Sequence, residues 1–178
     1  MFARKLNPGL ELRPLQATDA PALFAVVDQH RKSLREWLPW VDATNSVADS
    51  AKYIAGTIRD DAETRAFTSG LWSMGRLVGV IGHNRIDWAH RIGFPAYWLA
   101  PDAAGQGLMT QSLRAVIDHA FGELQLKQLV VAVATENHRA QKLPLRFGFK
   151  QVSVLKKAEW LYDHHVDHYV YALNAPKR

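Results

Sequence analysis

Cysteine is absent from this chain of 178 residues, so disulfide bonds, thiolate nucleophiles and cysteine-ligated zinc are excluded. Long apolar runs are absent as well. None approaches the roughly 20 residues that a membrane-spanning helix needs, and the polar start MFARKLNPG lacks the apolar core of a signal peptide. Both absences fit a reducing cytoplasm, which is the location that we expect.

Charge of one sign is not concentrated anywhere in the chain. The formal net charge is +5, but the basic residues are scattered, and no basic stripe is interleaved with stacking aromatic residues. We therefore expect no direct contact with nucleic acid. The composition, 48% hydrophobic and 22% charged, is typical of a folded globular protein, and the length favours a single domain over residues 1–178.

Hydrophobic periodicity predicts an α+β fold. Strand-like and helix-like segments follow one another in the order β-α-α-β-β-β-α-β-α-β-β, which indicates a mixed, mostly antiparallel sheet of six to seven strands flanked by helices. A hairpin turn is predicted at Gly75-Arg76. Pro95 cannot donate to a ladder, so it marks a sheet edge or an irregularity in the third strand of this meander.

Two glycines stand in GQGLMT, residues 105–110, just before a helical pattern. A helix start offers unpaired N–H groups and a positive dipole end, and glycine lets a phosphate approach the backbone closely. A tight turn without any ligand is the alternative. Thr110 stands where a dinucleotide fingerprint needs its third glycine, and a Walker A lysine is missing, so both of those phosphate loops are excluded.

Several linked motifs then resemble one family. YWLAPDAAGQGLMTQSLRAVIDHAF is similar to the coenzyme A loop of the GNAT superfamily of N-acetyltransferases, and ATENHRAQKLPLRFGF to the turn, short helix and Gly-Phe ending that follow in that family. LREWLPWVD and KKAEWLYDHHVDHYVYAL resemble its RimJ/RimL branch, which acetylates the N-termini of ribosomal proteins. The resemblance covers residues 10–173 and implies two central strands that splay apart to admit acetyl-CoA.

The resemblance also implies which residues hold acetyl-CoA. The pantetheine arm pairs near Trp98 and Leu99, and Asn137 lies beside it. The diphosphate rests on the loop and helix start, namely Gly105, Gln106, Gly107, Leu108, Met109 and Thr110. Ala104 departs from the Gln or Arg that usually opens this loop, so weaker binding is expected. The 3′-phosphate could meet a basic residue (Arg139, Lys142, Arg146 or Lys150), although solvated charge on a helix face is the commoner explanation for such residues.

The chemistry that the family implies is direct attack of a neutral amine on a thioester. Glu159 matches the base of the RimJ/RimL branch, and its alternative is a surface carboxylate at a strand end. Ala140 replaces a serine that, in this branch, can reprotonate the leaving thiolate. Either Tyr162 acts as the general acid instead, or the thiolate leaves without a general acid. Trp40 and Tyr162 are expected at the acceptor groove, whereas Trp37 is expected in the core.

The run DHHVDH resembles a metal site at first sight. On a strand, His164 and His168 share one face while His165 and Asp167 share the other. No face collects three good ligands locally, so no metal is expected, and a partly exposed set of histidines is the preferred interpretation.

Three functions remain open from the sequence. The first is acetyl-CoA-dependent acetylation of a protein N-terminal α-amine. The second is acetylation of a small amine, such as a polyamine, an aminoglycoside or an aminoacyl toxin. The third, kept open by Ala104 and Ala140, is non-catalytic acyl-CoA binding. Because family members often pair, a homodimer is expected.

Overall fold

A computed structural model of the chain describes residues 2–176, which form one eight-stranded sheet with helices on both faces. The strands are β1 (Arg4–Asn7), β2 (Leu10–Pro14), β3 (Phe67–Ser73), β4 (Arg76–Asp87), β5 (Ile92–Leu99), β6 (Gln128–Ala134), β7 (Lys150–Leu161) and β8 (His164–Asn174). The helices are α1 (Ala20–Gln29), α2 (Arg31–Arg35), α3 (Val47–Ala62), α4 (Leu108–Gly122) and α5 (His138–Arg146). The predicted α+β class is confirmed.

The strand order is β1-β2-β3-β4-β5-β6-β8-β7, and β5 and β6 are the parallel pair in this otherwise antiparallel sheet. Neighbouring residues of β3 show which helix covers which face. Phe67 contacts His119 of α4 edge to face, whereas the side chain of Thr68 is hydrogen-bonded to Tyr53 of α3. Successive strand residues point to opposite faces, so α3 and α4 lie on opposite sides of the sheet.

β5 separates from β6 after only two paired positions, Ile92 with Gln128 and Gly93 with Leu129. Backbone groups two residues apart on a strand point to the same neighbouring strand, so those of Gly93 and Pro95 both point toward β6. Because Pro95 has no N–H to donate, the ladder cannot continue there. Pro95 also faces His83, beside a register shift in β4. The irregularity predicted at this proline is therefore the point where the splayed gap opens.

Three local features differ from the sequence prediction. The sheet has eight strands rather than six to seven, because the short, mostly polar strand Arg4–Asn7 pairs with β2. The hairpin turn is Met74-Gly75, one residue earlier than predicted, and both residues have positive φ (51° and 76°), as a type I′ turn requires. The first of the two helices predicted after the first strand divides at His30 into α1 and α2.

Candidate active site

The start of α4 forms a cradle of free backbone donors. Gly105 and Gly107 have φ of +80° and +72°, a region that disfavours any residue with a Cβ. Within residues 2–176, the amides from Gly105 to Thr110 find no backbone acceptor, as expected for the first turn of a helix. A Cβ on either glycine would meet nothing within 4 Å, so the space above this turn is open.

A cleft of about 820 Å³ begins at this turn and continues along the start of α5. Asn137 lines it while its side-chain oxygen caps α5 by accepting from the Ala140 amide (3.0 Å). Its amide nitrogen is thereby directed away from the cap. The lining includes most residues that the resemblance assigned to coenzyme A: Trp98, Leu99, Gly105, Gly107, Leu108, Met109, Thr110, Asn137, and also Arg139, Lys142 and Arg146. Gln106 and Lys150 lie outside this lining.

The edge of β5 that faces the gap carries unpaired backbone groups. Ala100 donates to Val78 of β4 (2.7 Å), so the alternation along a strand turns the backbone groups of Leu99 and Tyr97 toward β6. β6 has already diverged at this height. An extended ligand arm could therefore pair with β5 as an added strand, at Leu99 as expected and at Tyr97, which the sequence reasoning did not single out.

A second cleft of about 1080 Å³ lies on the α3 side of the sheet and meets the first at the gap. Both clefts are lined by Tyr97, Trp98 and Asn137. Trp40 lines the second cleft, with its ring 5.8 Å from that of Trp98. Trp37 is half-buried and lines both clefts, so its expected core position is wrong: its side chain lies at the clefts and outside the core cluster.

Glu159 lies on the wall of the second cleft, near the end of β7. Its carboxylate is 3.7 Å from Nε2 of His168, and the two side chains are 34% and 16% exposed. His168 lies between Ala134 of β6 and Leu155 of β7, and all three line the same cleft. His168 of the DHHVDH run is thus a candidate functional residue, whereas the sequence predicts only an ordinary, partly exposed histidine there. The period-two alternation was its only signal in the sequence.

Tyr162 lies in the turn between β7 and β8 and attaches this hairpin to the segment after α2. Its hydroxyl donates to the carbonyl of Leu38 (2.5 Å), and the guanidinium of Arg35 lies 3.7 Å from its ring centre. Arg35 in turn pairs with Asp42 (2.9 Å). Desolvation raises the pKa of Tyr162, and its side chain holds the Trp40 segment rather than lining the second cleft. A direct role for Tyr162 toward substrate stays a prediction.

The described residues contain no group of three or more His, Asp or Glu side chains placed to hold a metal ion. Among the helices of residues 2–176, none has the length and apolar character that a membrane crossing requires.

Comparison with known proteins decides the family. The sequence profile of the acetyltransferase (GNAT) domain matches residues 9–150, most of the chain. This protein belongs to the GNAT acetyltransferase family. The predicted family, fold and enzyme class, an N-acetyltransferase with acetyl-CoA as co-substrate, are therefore confirmed.

Individual GNAT proteins resemble it over nearly their whole length. The ribosomal-protein-serine acetyltransferase of Escherichia coli (strain K12) is 28% identical over 168 residues, covering 94% of each chain. The structure of RimL, a ribosomal L7/L12 α-N-protein acetyltransferase in complex with coenzyme A, superposes with a TM-score of 0.93 at 25% identity, covering 98% of each chain. The microcin C7 self-immunity acetyltransferase MccE, in complex with acetyl-CoA and AMP, shares the fold (TM-score 0.90, 24% identity, 96% and 94% covered).

Proposed function

We propose that this GNAT enzyme acetylates the N-terminal α-amine of a protein of the ribosomal-protein type, with Glu159 as general base. The observation that carries the proposal is the meeting of two clefts at the β5–β6 gap, with free backbone amides in one and Glu159 in the other. The similarity to a ribosomal-protein-serine acetyltransferase and to RimL supports this choice of acceptor.

The first cleft fits acetyl-CoA. The amides from Gly105 to Thr110 would hold the diphosphate, because they combine free donors with the positive end of α4. The backbone of Tyr97 and Leu99 and the side chain of Asn137 would hold the pantetheine amides. With Ala104 in place of a polar residue, these main-chain donors carry most of the affinity. Acetyl-CoA supplies the acetyl group as a reactive thioester.

Glu159 would accept the proton that the acceptor amine must lose. An α-amino group has a pKa of about 8, so at neutral pH much of it is protonated and unable to attack. A positioned carboxylate at the acceptor wall removes this proton. A free N–H on the gap side of β5 would donate to the developing oxyanion. The coenzyme A thiolate, with a pKa of about 8.5, leaves without a dedicated acid, which accommodates Ala140 at the serine position.

The size of the second cleft favours a peptide over a small amine. Its volume of about 1080 Å³ lies slightly above the usual range for drug-sized ligands, and it extends from residues 37–44 past α3 to the β7–β8 hairpin. The fold shared with MccE, which was solved with acetyl-CoA and AMP, keeps a small amine that carries a nucleotide as the second candidate. Its base would need an aromatic surface, which Trp40 and Trp98 offer.

The experiment that tests the acceptor is acetyl-CoA consumption against a matched panel. The panel contains peptides with the N-termini of ribosomal proteins, the same peptides with blocked α-amines, polyamines and an aminoacyl nucleotide. We expect turnover with free N-terminal peptides, loss of turnover when the α-amine is blocked, and a product mass that places the acetyl group on the first residue. Turnover with the small amines alone would overturn the proposal.

Glu159→Gln is the test of the base. The amide keeps the shape of the side chain but cannot accept a proton, so we expect kcat to fall by about 100-fold or more with acetyl-CoA affinity unchanged within twofold. Glu11→Gln, on β2 toward the opposite edge of the sheet, is the matched control and should retain full activity. An active Glu159→Gln enzyme would remove Glu159 from the mechanism.

We also propose a homodimer in the cytoplasm. β7 is an edge strand, and its residues from Lys150 to Ala158 are all exposed. Val152 and Val154 are 61% and 42% exposed, which is the kind of unpaired apolar edge that a second chain covers. Light scattering at micromolar concentration should give twice the chain mass of 20.0 kDa; a monomer would contradict the proposal. The cytoplasmic location follows from the proposed acceptor, a protein of the ribosomal-protein type.

A further inference from the structure

β7 contains two more residues than β8 between two fixed pairs. Leu155 lies opposite His168, yet Glu159 lies opposite Val166, so four steps along β7 match two steps along β8. The three residues between them, Lys156, Lys157 and Ala158, form a bulge. Lys157 has a φ of +49°, a strained conformation for a residue with a long side chain.

Without the bulge, a different residue would occupy the cleft wall. Continuing the pairing from Leu155 would place Lys157 opposite Val166 and Glu159 opposite His164. A slip of two residues keeps each side chain on its own face, so the cleft would present an ammonium group where the carboxylate now lies. Glu159 would be four residues from the level of His168, roughly 13 Å, and their 3.7 Å contact would be lost.

Asp167 binds the bulge from the other face of β8. One carboxylate oxygen accepts from the amide of Lys157 (2.8 Å), and the other pairs with the ammonium of Lys156 (2.7 Å). These two bonds hold the pKa of Asp167 below its ordinary value, so it is charged at neutral pH. Its own carbonyl accepts from Thr135 at the end of β6 (2.9 Å), which fixes Asp167 to the sheet.

We propose that Asp167 is a positioning residue that selects the β7 register, so that Glu159 rather than Lys157 faces the acceptor cleft beside His168. The two bonds offset the backbone strain at Lys157, which the continuous register does not contain. Tyr162 supports the same register from the hairpin end through Leu38. The catalytic consequence rests on the proposed role of Glu159, whereas the register itself does not.

Cysteine trapping measures the register directly, because the natural chain has no cysteine. Trp160 and His165 lie opposite each other in the bulged register, with rings 4.8 Å apart, so a Trp160→Cys/His165→Cys pair should close rapidly on mild oxidation. Ala158→Cys/His165→Cys reports the continuous register and should close slowly. In the Asp167→Ala background we expect the second pair to close at least tenfold faster, as measured from free thiols by mass spectrometry.

The controls separate register from general loosening. Asp163→Ala removes a carboxylate from the same hairpin, one that pairs with His164, and should leave both closing rates unchanged. Asp167→Asn keeps an oxygen for the Lys157 amide and should give an intermediate rate. It also serves as the second variant if Asp167→Ala does not fold. Unchanged closing rates in both Asp167 variants would overturn the proposal.

Kinetics supply the functional test. Asp167→Ala should lower kcat at least tenfold while the KM for acetyl-CoA changes less than twofold. Adding Lys157→Glu returns a carboxylate to the cleft wall in the continuous register, so the double variant should recover at least threefold in kcat, and Lys157→Glu alone should show no gain. With the register change shown by cysteine trapping, absence of this recovery would contradict the catalytic role of a carboxylate at the cleft wall and leave the register assignment intact. A changed register with unchanged kcat would refute only the role of Glu159.

Discussion

Gly107 shows how one backbone angle limits which residue can hold an anion. Its φ of +72° is open to glycine at little cost, whereas an L-residue there loses roughly 1–2 kcal/mol. The conformation turns the first amides of α4 toward the cleft, where no side chain cap competes for them. The same glycine therefore serves both the helix start and the open approach to the backbone.

Gly107→Ala is expected to raise the KM for acetyl-CoA about tenfold with little effect on the acceptor, because the added Cβ strains the loop that would hold the diphosphate. Gly122→Ala is the matched control. Gly122 ends the same helix, has open space around its Cβ position and has no positive φ. Titration calorimetry with coenzyme A measures the affinity, and equal affinities for the two variants would contradict a diphosphate site at this turn.

At the scale of helices and strands, features encoded within one segment could be predicted from the sequence, whereas contacts between strands could not. The GQG turn and Pro95 carry their constraint in their own backbone, so the helix start and the interrupted ladder were visible in the sequence. The contact of Glu159 with His168 depends on a bulge between two strands, which no single-strand pattern encodes. The bond from Tyr162 to Leu38 joins residues 124 positions apart, so its partner could not be predicted. The single-domain organisation stays a prediction.

Helix α3 carries a glycine where helix stability alone would disfavour it. Gly56 lies in its interior, where glycine costs about 1 kcal/mol relative to alanine. It lines the second cleft, and a Cβ there would meet nothing within 4 Å. The loss of helix stability at Gly56 is explained if this part of the cleft must stay open to hold the residues that follow the N-terminal residue of an acceptor peptide.

Gly56→Leu should therefore separate long acceptors from short ones. The leucine side chain fills the groove, so the KM for N-terminal peptides is expected to rise about tenfold, while that for a small primary amine changes less than twofold. Ala55→Leu, exposed on the same helix and outside the cleft lining, is the control. An equal loss for peptides and small amines would show that the groove does not discriminate by length.

Across the molecule, one hydrophobic core joins the sheet to its helices, and His83 is a polar residue buried beside it. Its ring is 1% exposed, and neither nitrogen has a hydrogen-bond partner within residues 2–176. It packs on Phe67, at 4.8 Å between ring centres. A Cβ at Gly93 would lie 2.6 Å from its Cε1.

Burial, with a smaller contribution from His119, lowers the pKa of His83 from 6.5 to about 3. Between these values the unfolded chain binds a proton that the folded protein does not, so the free energy of unfolding falls as the pH decreases below 6.5. The loss between pH 7 and pH 5 from this residue is about 2 kcal/mol. The effect fades above pH 7, where the imidazole is mostly neutral in both states.

His83→Leu replaces the ring with an apolar side chain of similar volume and removes two unsatisfied nitrogens, so its stability at pH 7 should equal or exceed that of the parent protein. Between pH 7 and pH 5 it should lose about 2 kcal/mol less than the parent, as measured by urea unfolding at both values. His90→Asn, at an exposed histidine, should lose as much as the parent. Parallel losses in all three proteins would mean that His83 is protonated in the folded state, which packing against Phe67 and Gly93 opposes.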